Sequence, residues 1–129
     1  MSEPVPHGPP LSNDERLLRV IAPVWWVSEA GRVSSAAFSW PVFSVDRASL
    51  TTAEATLSRF DRASGLAEFG CVECRPLGFD PRDELDPAHP DNKAHAHVYH
   101  SGPNNRRKAA ARRLAELCRI VKPPTPVAP

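Results

Sequence analysis

Residues Ala94 to His100 read AHAHVYH and give the clearest strand signal in the sequence. Successive side chains of an extended chain point to opposite faces, so one face here carries His95, His97 and Tyr99. The other face carries the small and apolar residues between them. This alternation is typical of a strand that rests one face on a core. We therefore predict a strand over Ala94–His100.

Helix signals stand on both sides of this strand. Thr51 and Glu54 have the spacing of a capping box, which predicts a helix over Thr51–Phe60. After the Gly-Pro break that follows the strand, Asn104 or Asn105 is expected to cap a helix that runs to about Val121. Its apolar stripe is predicted to contain Leu114, Leu117, Cys118 and Val121.

Shorter β-prone runs supply the other strands, with a turn at Gly31 and an interruption at Pro41. These runs are Val24–Val27, Val33–Phe38, Val42–Val45 and Leu66–Cys74. Ser12 and Glu15 have a second capping-box spacing, so Arg16–Ile21 either continues a short helix or opens a strand. The segment from Leu77 to Asp91 is expected to be a long ordered loop. The sequence thus predicts an α+β fold: a small, mostly antiparallel sheet of about five strands with two or three helices packed on it.

Length and proline content predict the domain organisation. The chain has 129 residues, enough for one domain, and its two ends are rich in proline. We expect disordered segments at residues 1–11 and 123–129 around one domain at 12–122, because such segments bury too little apolar surface to offset the cost of ordering them.

Composition excludes several classes of protein. Hydrophobic residues make up 41% and charged residues 24%, as in ordinary globular domains. No apolar run reaches the roughly 18–20 residues of a membrane helix, and the first ten residues have no secretory-signal pattern. Because the sequence has no such run, we expect no membrane partner. Three cysteines, an odd count, favour free thiols and a cytoplasmic location.

Charge is unevenly distributed along the chain. Residues 106–129 carry seven of the 16 basic residues and one of the 15 acidic ones. A basic helix can bind nucleic acid, but neither a helix-turn-helix pattern nor an aromatic RNA-binding platform accompanies it. We interpret the helix as a solvated face and do not expect nucleic-acid binding.

Cys71-x-x-Cys74 followed by His95 and His97 is the sharpest metal-like pattern. Zinc accepts two thiolates and two imidazoles, and the cysteine spacing suits it. The histidine spacing is not that of a zinc finger, and a cysteine on a strand is often part of a core. We therefore predict no metal and no cofactor, and keep zinc as an alternative.

A second cluster consists of Arg32, Ser34 and Ser35 after the glycine turn. A guanidinium beside two hydroxyls can bind a phosphate or a carboxylate through charge-assisted hydrogen bonds. The alternative is a surface turn in which the hydroxyl of Ser34 or Ser35 bonds to its own backbone.

Several segments together resemble a widespread family of small bacterial proteins. The segments are RVSSAAF (32–38), FSVDRASLTT (43–52), LGFD (77–80) and DPAHPDNKAHAHV (86–98), the last of which contains Asn92 and His95. The family pattern reads R-x-S-S-A-A-F, L-S-V-[DN] and D-P-x-x-x-[DN]-N-x-A-H-A. That family has no assigned activity, so the resemblance implies a compact fold and no particular function. This chain departs from the pattern at Lys93, where a proline is usual, and in having the Cys71/Cys74 pair.

The order of elements is also similar to that of RES-type and ADP-ribosyltransferase-like toxins. Those proteins begin with a strand that bears an arginine, here Arg19, and continue with a glycine–arginine turn, a strand and a helix. The similarity implies that Arg19 and Arg32 hold a pyrophosphate, that Ser34 and Ser35 line the site, and that His95 contacts a ribose. The acidic catalytic residue of such enzymes has no clear counterpart.

These observations support three functional hypotheses. The first is a small cytoplasmic binding or accessory module without catalysis of its own, whose partner is an unknown protein. The second is an NAD-consuming enzyme of the ADP-ribosyltransferase type. The third is a zinc-stabilised module that binds nucleic acid. The candidate ligand-binding residues are Arg19, Arg32, Ser34, Ser35, Asn92 and His95.

Overall fold

An antiparallel sheet of six strands organises the chain. The computed structural model describes residues 4–125, which form eight strands and three α-helices. The strands are β1 (Arg16–Ile21), β2 (Trp26–Val27), β3 (Arg32–Val33), β4 (Val42–Arg47), β5 (Gly65–Gly70), β6 (Asp80–Arg82), β7 (His95–Tyr99) and β8 (Arg119–Lys122). The helices are α1 (Ala53–Leu57), α2 (Cys71–Cys74) and α3 (Asn104–Leu117). The main sheet has the order β6-β7-β4-β1-β5-β8, and β2 pairs with β3 in a separate two-stranded sheet.

The hydrophobic core lies between one face of the main sheet and α3. Alternation along β1 turns Leu17 and Ile21 toward this core, and α3 contributes the fully buried Leu114. Alanines at 110, 111 and 115 let the helix approach closely. Phe43 and Phe69 meet Phe38 edge-to-face, with ring centroids 5.8 Å from it in both cases. Such aromatic pairs stabilise a core by about 0.5–1.5 kcal/mol beyond the area they bury.

The opposite face of the sheet is only partly covered. Leu18, Asp46 and His95 point to this side, which α1 covers at one end. Segment 83–93 crosses the other end, over β7. This partial covering is what leaves room for a groove.

The predicted α+β class is confirmed, although the main sheet has six strands where about five were expected. The strand predicted over Ala94–His100 is β7, and the run at 42–45 is the larger part of β4. Gly31 has a φ of +62°, as the predicted turn requires.

Two local predictions in the N-terminal half differ from the structure. Ser12 begins a turn rather than a helix. Of the two alternatives for Arg16–Ile21 the strand is the one formed, and it pairs with β5 along its whole length. The strand expected over Val33–Phe38 ends at Val33, and a 3₁₀ helix over Ser35–Ala37 follows. In each case long-range strand pairing or packing overrides the local propensity.

The later elements also differ in their bounds. The strand predicted to Cys74 ends at Gly70, and α2 begins at the next residue. The expected loop at 77–91 contains the edge strand β6. The first predicted helix is the shorter α1, capped by Thr52 rather than Thr51. The last helix begins after Pro103 without an asparagine cap and ends at Leu117, because the chain then turns into β8 and pairs with β5.

The proline-rich ends differ from the disordered segments that were expected. From His7 to Leu11 the chain hydrogen-bonds to residues 81–84, and Leu11 is buried. At the other end, the Thr125 amide donates to the Ala63 carbonyl over 2.8 Å. Residues 1–3 and 126–129 of the two predicted segments lie outside the described residues.

Within residues 4–125 the longest helix is α3, with 14 residues, and it is too short and too polar to cross a bilayer.

Candidate functional site

A groove of about 650 Å³ lies on the partly covered face of the sheet, between α1 and segment 83–93. Its floor is apolar and comes from Leu18 and Val20 of β1. One end is polar and contains Asp46, Asn92 and His95. Ligand sites are commonly concave, largely apolar spaces of roughly 300–1,000 Å³ with a few convergent polar groups. We therefore take this groove as the candidate site.

Asp46 is the centre of the polar end. It stands on β4 directly opposite His95 of β7. Its Oδ2 atom accepts hydrogen bonds from Thr56 Oγ1 at 2.7 Å and Arg59 Nη1 at 3.1 Å. Its Oδ1 atom accepts from Asn92 Nδ2 at 3.0 Å. A buried carboxylate is tolerated only when it is paired and hydrogen-bonded, and this one joins the sheet to α1 and to segment 83–93.

His95 presents a free acceptor at this end. Its Nδ1 atom lies 2.8 Å from the Glu84 carbonyl oxygen, which can only accept, so Nδ1 carries the proton. In the neutral imidazole, Nε2 is then an acceptor. Within residues 4–125, Nε2 is buried and has no hydrogen-bond partner, and the whole side chain is 6% exposed. An unpaired buried polar atom costs about 1–3 kcal/mol, so a donor from a ligand would stabilise it.

Glu84 organises the surroundings of His95. Its side chain is fully buried. It accepts four hydrogen bonds, from the His7 amide at 2.7 Å, the Gly8 amide at 2.8 Å, Tyr99 Oη at 2.5 Å and His97 Nδ1 at 3.0 Å. Burial alone raises the pKa of this carboxyl, but the four hydrogen bonds outweigh it and lower the pKa to about 2. Glu84 therefore holds the orientation of both strand histidines, through its carbonyl and its carboxylate.

His97 is the second histidine that Glu84 holds. Burial lowers its pKa despite the neighbouring carboxylate, so the imidazole is neutral at physiological pH. It stands next to His95 on the same face of β7, with ring centroids 4.6 Å apart.

Arg19 fills a split in the sheet. The β1–β4 ladder is short, with Leu17 opposite Arg47 and Leu18 opposite Asp46. Beyond this ladder, Arg19 Nε donates to the Ala37 carbonyl and Arg19 Nη1 donates to the Ser44 carbonyl, each at a distance of 3.0 Å. Its guanidinium carbon lies 4.9 Å from the ring centroids of both Trp25 and Phe43.

Burial lowers the pKa of Arg19 to about 10, so the group remains charged at pH 7. Arg19 also lines the groove, although its bonds to two carbonyls and its contacts with two rings make it chiefly a structural residue.

The structure thus brings three of the six predicted ligand-binding residues to one groove: Arg19, Asn92 and His95. Arg32 is exposed on β3, away from the groove. Ser34 caps the 3₁₀ helix that contains Ser35, because its hydroxyl accepts from the Ala36 amide at 3.2 Å. The Ser34 hydroxyl therefore bonds to the backbone of the turn, which is the alternative that the sequence left open, and Ser35 lies within the 3₁₀ helix.

The cysteine–histidine zinc set, which the sequence offered as an alternative, is not formed among the described residues. Cys71 and Cys74 are buried in the core on one side of the sheet, and His95 and His97 point to the other side. Burial raises the pKa of the two thiols to about 11 and about 12, which keeps them protonated. Among residues 4–125 no group of three or more side chains is arranged to hold a metal ion.

Sequence reasoning missed four residues of the site: Asp46, Thr56, Arg59 and Glu84. The signal for Asp46 was that a charged residue follows the β-prone run Val42–Val45. A charged residue on a buried strand needs a partner. Glu84 gave no local signal, because its partners lie up to 77 residues away along the chain.

Comparison of the chain with protein-family models, with curated proteins and with solved structures found no significant match.

Proposed function

We propose that this chain is a small binding domain without catalysis of its own and that its ligand occupies the groove. The observation that carries the proposal is the buried Nε2 atom of His95, which lacks a partner within residues 4–125. His95 lines the groove together with Asp46 and Asn92, and the floor of the groove is apolar. A concave surface of this size suits a small molecule better than a flat protein partner.

The bonding of the polar end favours binding over catalysis. Asp46 and Thr56 are a carboxylate and a hydroxyl that could take part in proton or group transfer. The Thr56 hydroxyl donates a hydrogen bond of 2.7 Å to Asp46 Oδ2, and Asp46 Oδ1 accepts a hydrogen bond from Asn92. Groups engaged in this way hold a ligand's orientation more readily than they exchange protons with it.

The proposal is tested by blocking the groove. Ser44 is exposed on β4 and lines the groove, so Ser44→Trp would fill it with little effect on the core. Ser28 is exposed in the β2–β3 turn, and Ser28→Trp is the matched control. A panel of amines, sugars, carboxylates and nucleotides is screened by thermal shift at millimolar concentration. We expect hits that raise the Tm of the wild type and the control but not of Ser44→Trp. Hits that stabilise all three proteins equally, or no hits at all, would contradict the proposal.

One observation favours the NAD-consuming alternative. Arg19 and His95, which the toxin resemblance assigns to pyrophosphate and ribose, both line the groove. The alternative now rests on these two, because Arg32, Ser34 and Ser35 do not line it. Incubation with NAD, read by mass spectrometry for released nicotinamide, tests it. Release that His95→Asn abolishes and Arg32→Ala preserves would support the enzyme, and no release would exclude it.

We also propose a reducing, cytoplasmic setting. All three cysteines are unpaired, and two of them lie in the core beside each other on α2. A disulfide-forming compartment would put such thiols at risk of mispairing during folding.

A further inference from the structure

We propose that the groove selects a protonated amine carried on a small apolar or aromatic body, an inference that rests on the groove being the ligand site. The hydrogen-bonding groups and charges that line the groove favour such a ligand.

The inner end of the groove presents mainly acceptors. His95 offers Nε2, which has no partner within residues 4–125. The Asp46 carboxylate receives three donors, and a carboxylate has about four lone-pair sites, so one site remains. Asn92 Oδ1 accepts from the Ala94 amide at 3.2 Å, and its second lone pair leaves one further acceptor site. An ammonium group, with three donors and no acceptor, matches such a set.

The rim of the groove adds negative charge. Asp86 and Asp91, from segment 83–93, both line the groove, and neither forms an ion pair with another described residue. They stand on the same side as Asp46, so the groove carries three carboxylates. Clefts lined by one sign of charge raise the local concentration of the opposite charge.

The two cations of the groove are already engaged. Arg59 bonds Asp46, and Arg19 is held in the split between β1 and β4 by two carbonyls and two aromatic rings. Three carboxylates against two engaged guanidiniums leave the groove one negative charge in excess. This excess negative charge would repel an anionic ligand.

The walls fit an apolar body behind the amine. Leu18 and Val20 form the floor, and Phe60, 53% exposed, stands at the α1 end. An exposed aromatic ring attracts both apolar groups and cations.

Three probes of nearly equal shape test the charge preference: benzylamine, benzyl alcohol and benzoate. They are titrated into the full chain at pH 7, and Kd is read from amide chemical shifts. Benzylamine, protonated at pH 7 as a lysine side chain is, is expected to bind in the groove. Because hydrogen bonds from charged donors are about twice as strong as neutral ones, benzyl alcohol should bind about tenfold more weakly. Benzoate should show no binding.

Variants locate the interaction. His95→Asn keeps a donor where Nδ1 bonds the Glu84 carbonyl but places nothing at Nε2, so benzylamine affinity should fall about tenfold. Asp86→Asn with Asp91→Asn should lower it about two- to fivefold and reduce its salt dependence. Glu29→Gln, which removes an exposed carboxylate on the β2–β3 turn, should change nothing.

Failure of this inference and failure of the proposed function give different results. If benzyl alcohol or benzoate binds the groove as tightly as benzylamine, the amine preference is wrong and the groove remains the site. If none of the three binds, or if benzylamine binds His95→Asn as tightly as the wild type, the amine preference is also wrong. The proposed function itself fails only if the wider panel also finds no ligand that Ser44→Trp excludes.

Discussion

Replacing Glu84 by glutamine should destabilise the protein by about 3 kcal/mol at pH 7. Glu84 is 3% exposed, and its carboxylate accepts four hydrogen bonds. A pKa lowered from 4.5 to about 2 corresponds to about 3 kcal/mol of stability at neutral pH. Hydrogen bonds to charged groups contribute about 1.5–3 kcal/mol each before the cost of burying the charge, so the two magnitudes are compatible. In Glu84→Gln, the side-chain NH₂ group replaces one acceptor oxygen. It would face the donors that this oxygen accepts from, and it cannot accept their hydrogen bonds.

The pH dependence has a defined sign. Because folding lowers the pKa of Glu84, its contribution is fully present above pH 4.5 and is lost as the pH falls from 4.5 toward 2. The stability of the wild type should therefore fall toward that of Glu84→Gln over this range. Glu15 also has a lowered pKa, but it is common to both proteins and cancels in the difference.

Urea unfolding at pH 7 and pH 2.5 measures this difference, with Glu29→Gln as the control for removal of an exposed charge. We expect a difference of about 3 kcal/mol at pH 7 that shrinks below about 1 kcal/mol at pH 2.5. A difference under about 1 kcal/mol at pH 7, or one that does not change with pH, would contradict this prediction. It would mean that Glu84 is not the charged centre that fixes His95 and His97.

The remaining predictions concern the core, the N-terminal segment and the thiols. Leu114→Ala should lower the free energy of unfolding by about 2–5 kcal/mol, because Leu114 is fully buried. Leu117 is only half-buried, so Leu117→Ala should cost less than half as much. Equal losses of Tm in the two variants would contradict the placement of α3. A chain that begins at Pro9 should lose about 1–3 kcal/mol in urea unfolding, since the two amide donors to Glu84 are removed; an unchanged midpoint would show that this segment does not dock. The thiols of α2 should react with a disulfide reagent at pH 8 only after unfolding, because burial raises their pKa to about 11 and about 12; fast reaction of the native protein would show that the core is open there.

Elements that depend on neighbouring residues, such as β7 and the turn at Gly31, could be predicted from the sequence. The alternation in AHAHVYH gave β7 and correctly placed His95, His97 and Tyr99 on one face, because a period of two needs no information from the rest of the chain. Gly31 was recognised as a turn residue for the same reason. The same local rules misjudged Ser12–Glu15, where pairing of β1 between β4 and β5 outweighs a capping-box spacing.

The candidate site depends mostly on contacts between distant residues. Asn92 and His95 could be chosen from the sequence because they stand within a short polar stretch beside a strand. Asp46 becomes a site residue only when α1 and segment 83–93 meet over the sheet, and Glu84 only when the N-terminal segment reaches it. Arg32 was chosen for its neighbours in the sequence, and the fold leaves it exposed on a separate hairpin.

The most direct test of the groove is a chemical-shift map of the protein with the tightest binder from the ligand panel. We expect the shifted amides and side chains to centre on Leu18, Asp46, Asn92 and His95. We also expect the imidazole ¹⁵Nε2 signal of His95 to move as this atom gains a hydrogen-bond donor. Shifts centred instead on the 32–35 turn, with the His95 signal unchanged, would contradict the assignment of the groove as the binding site.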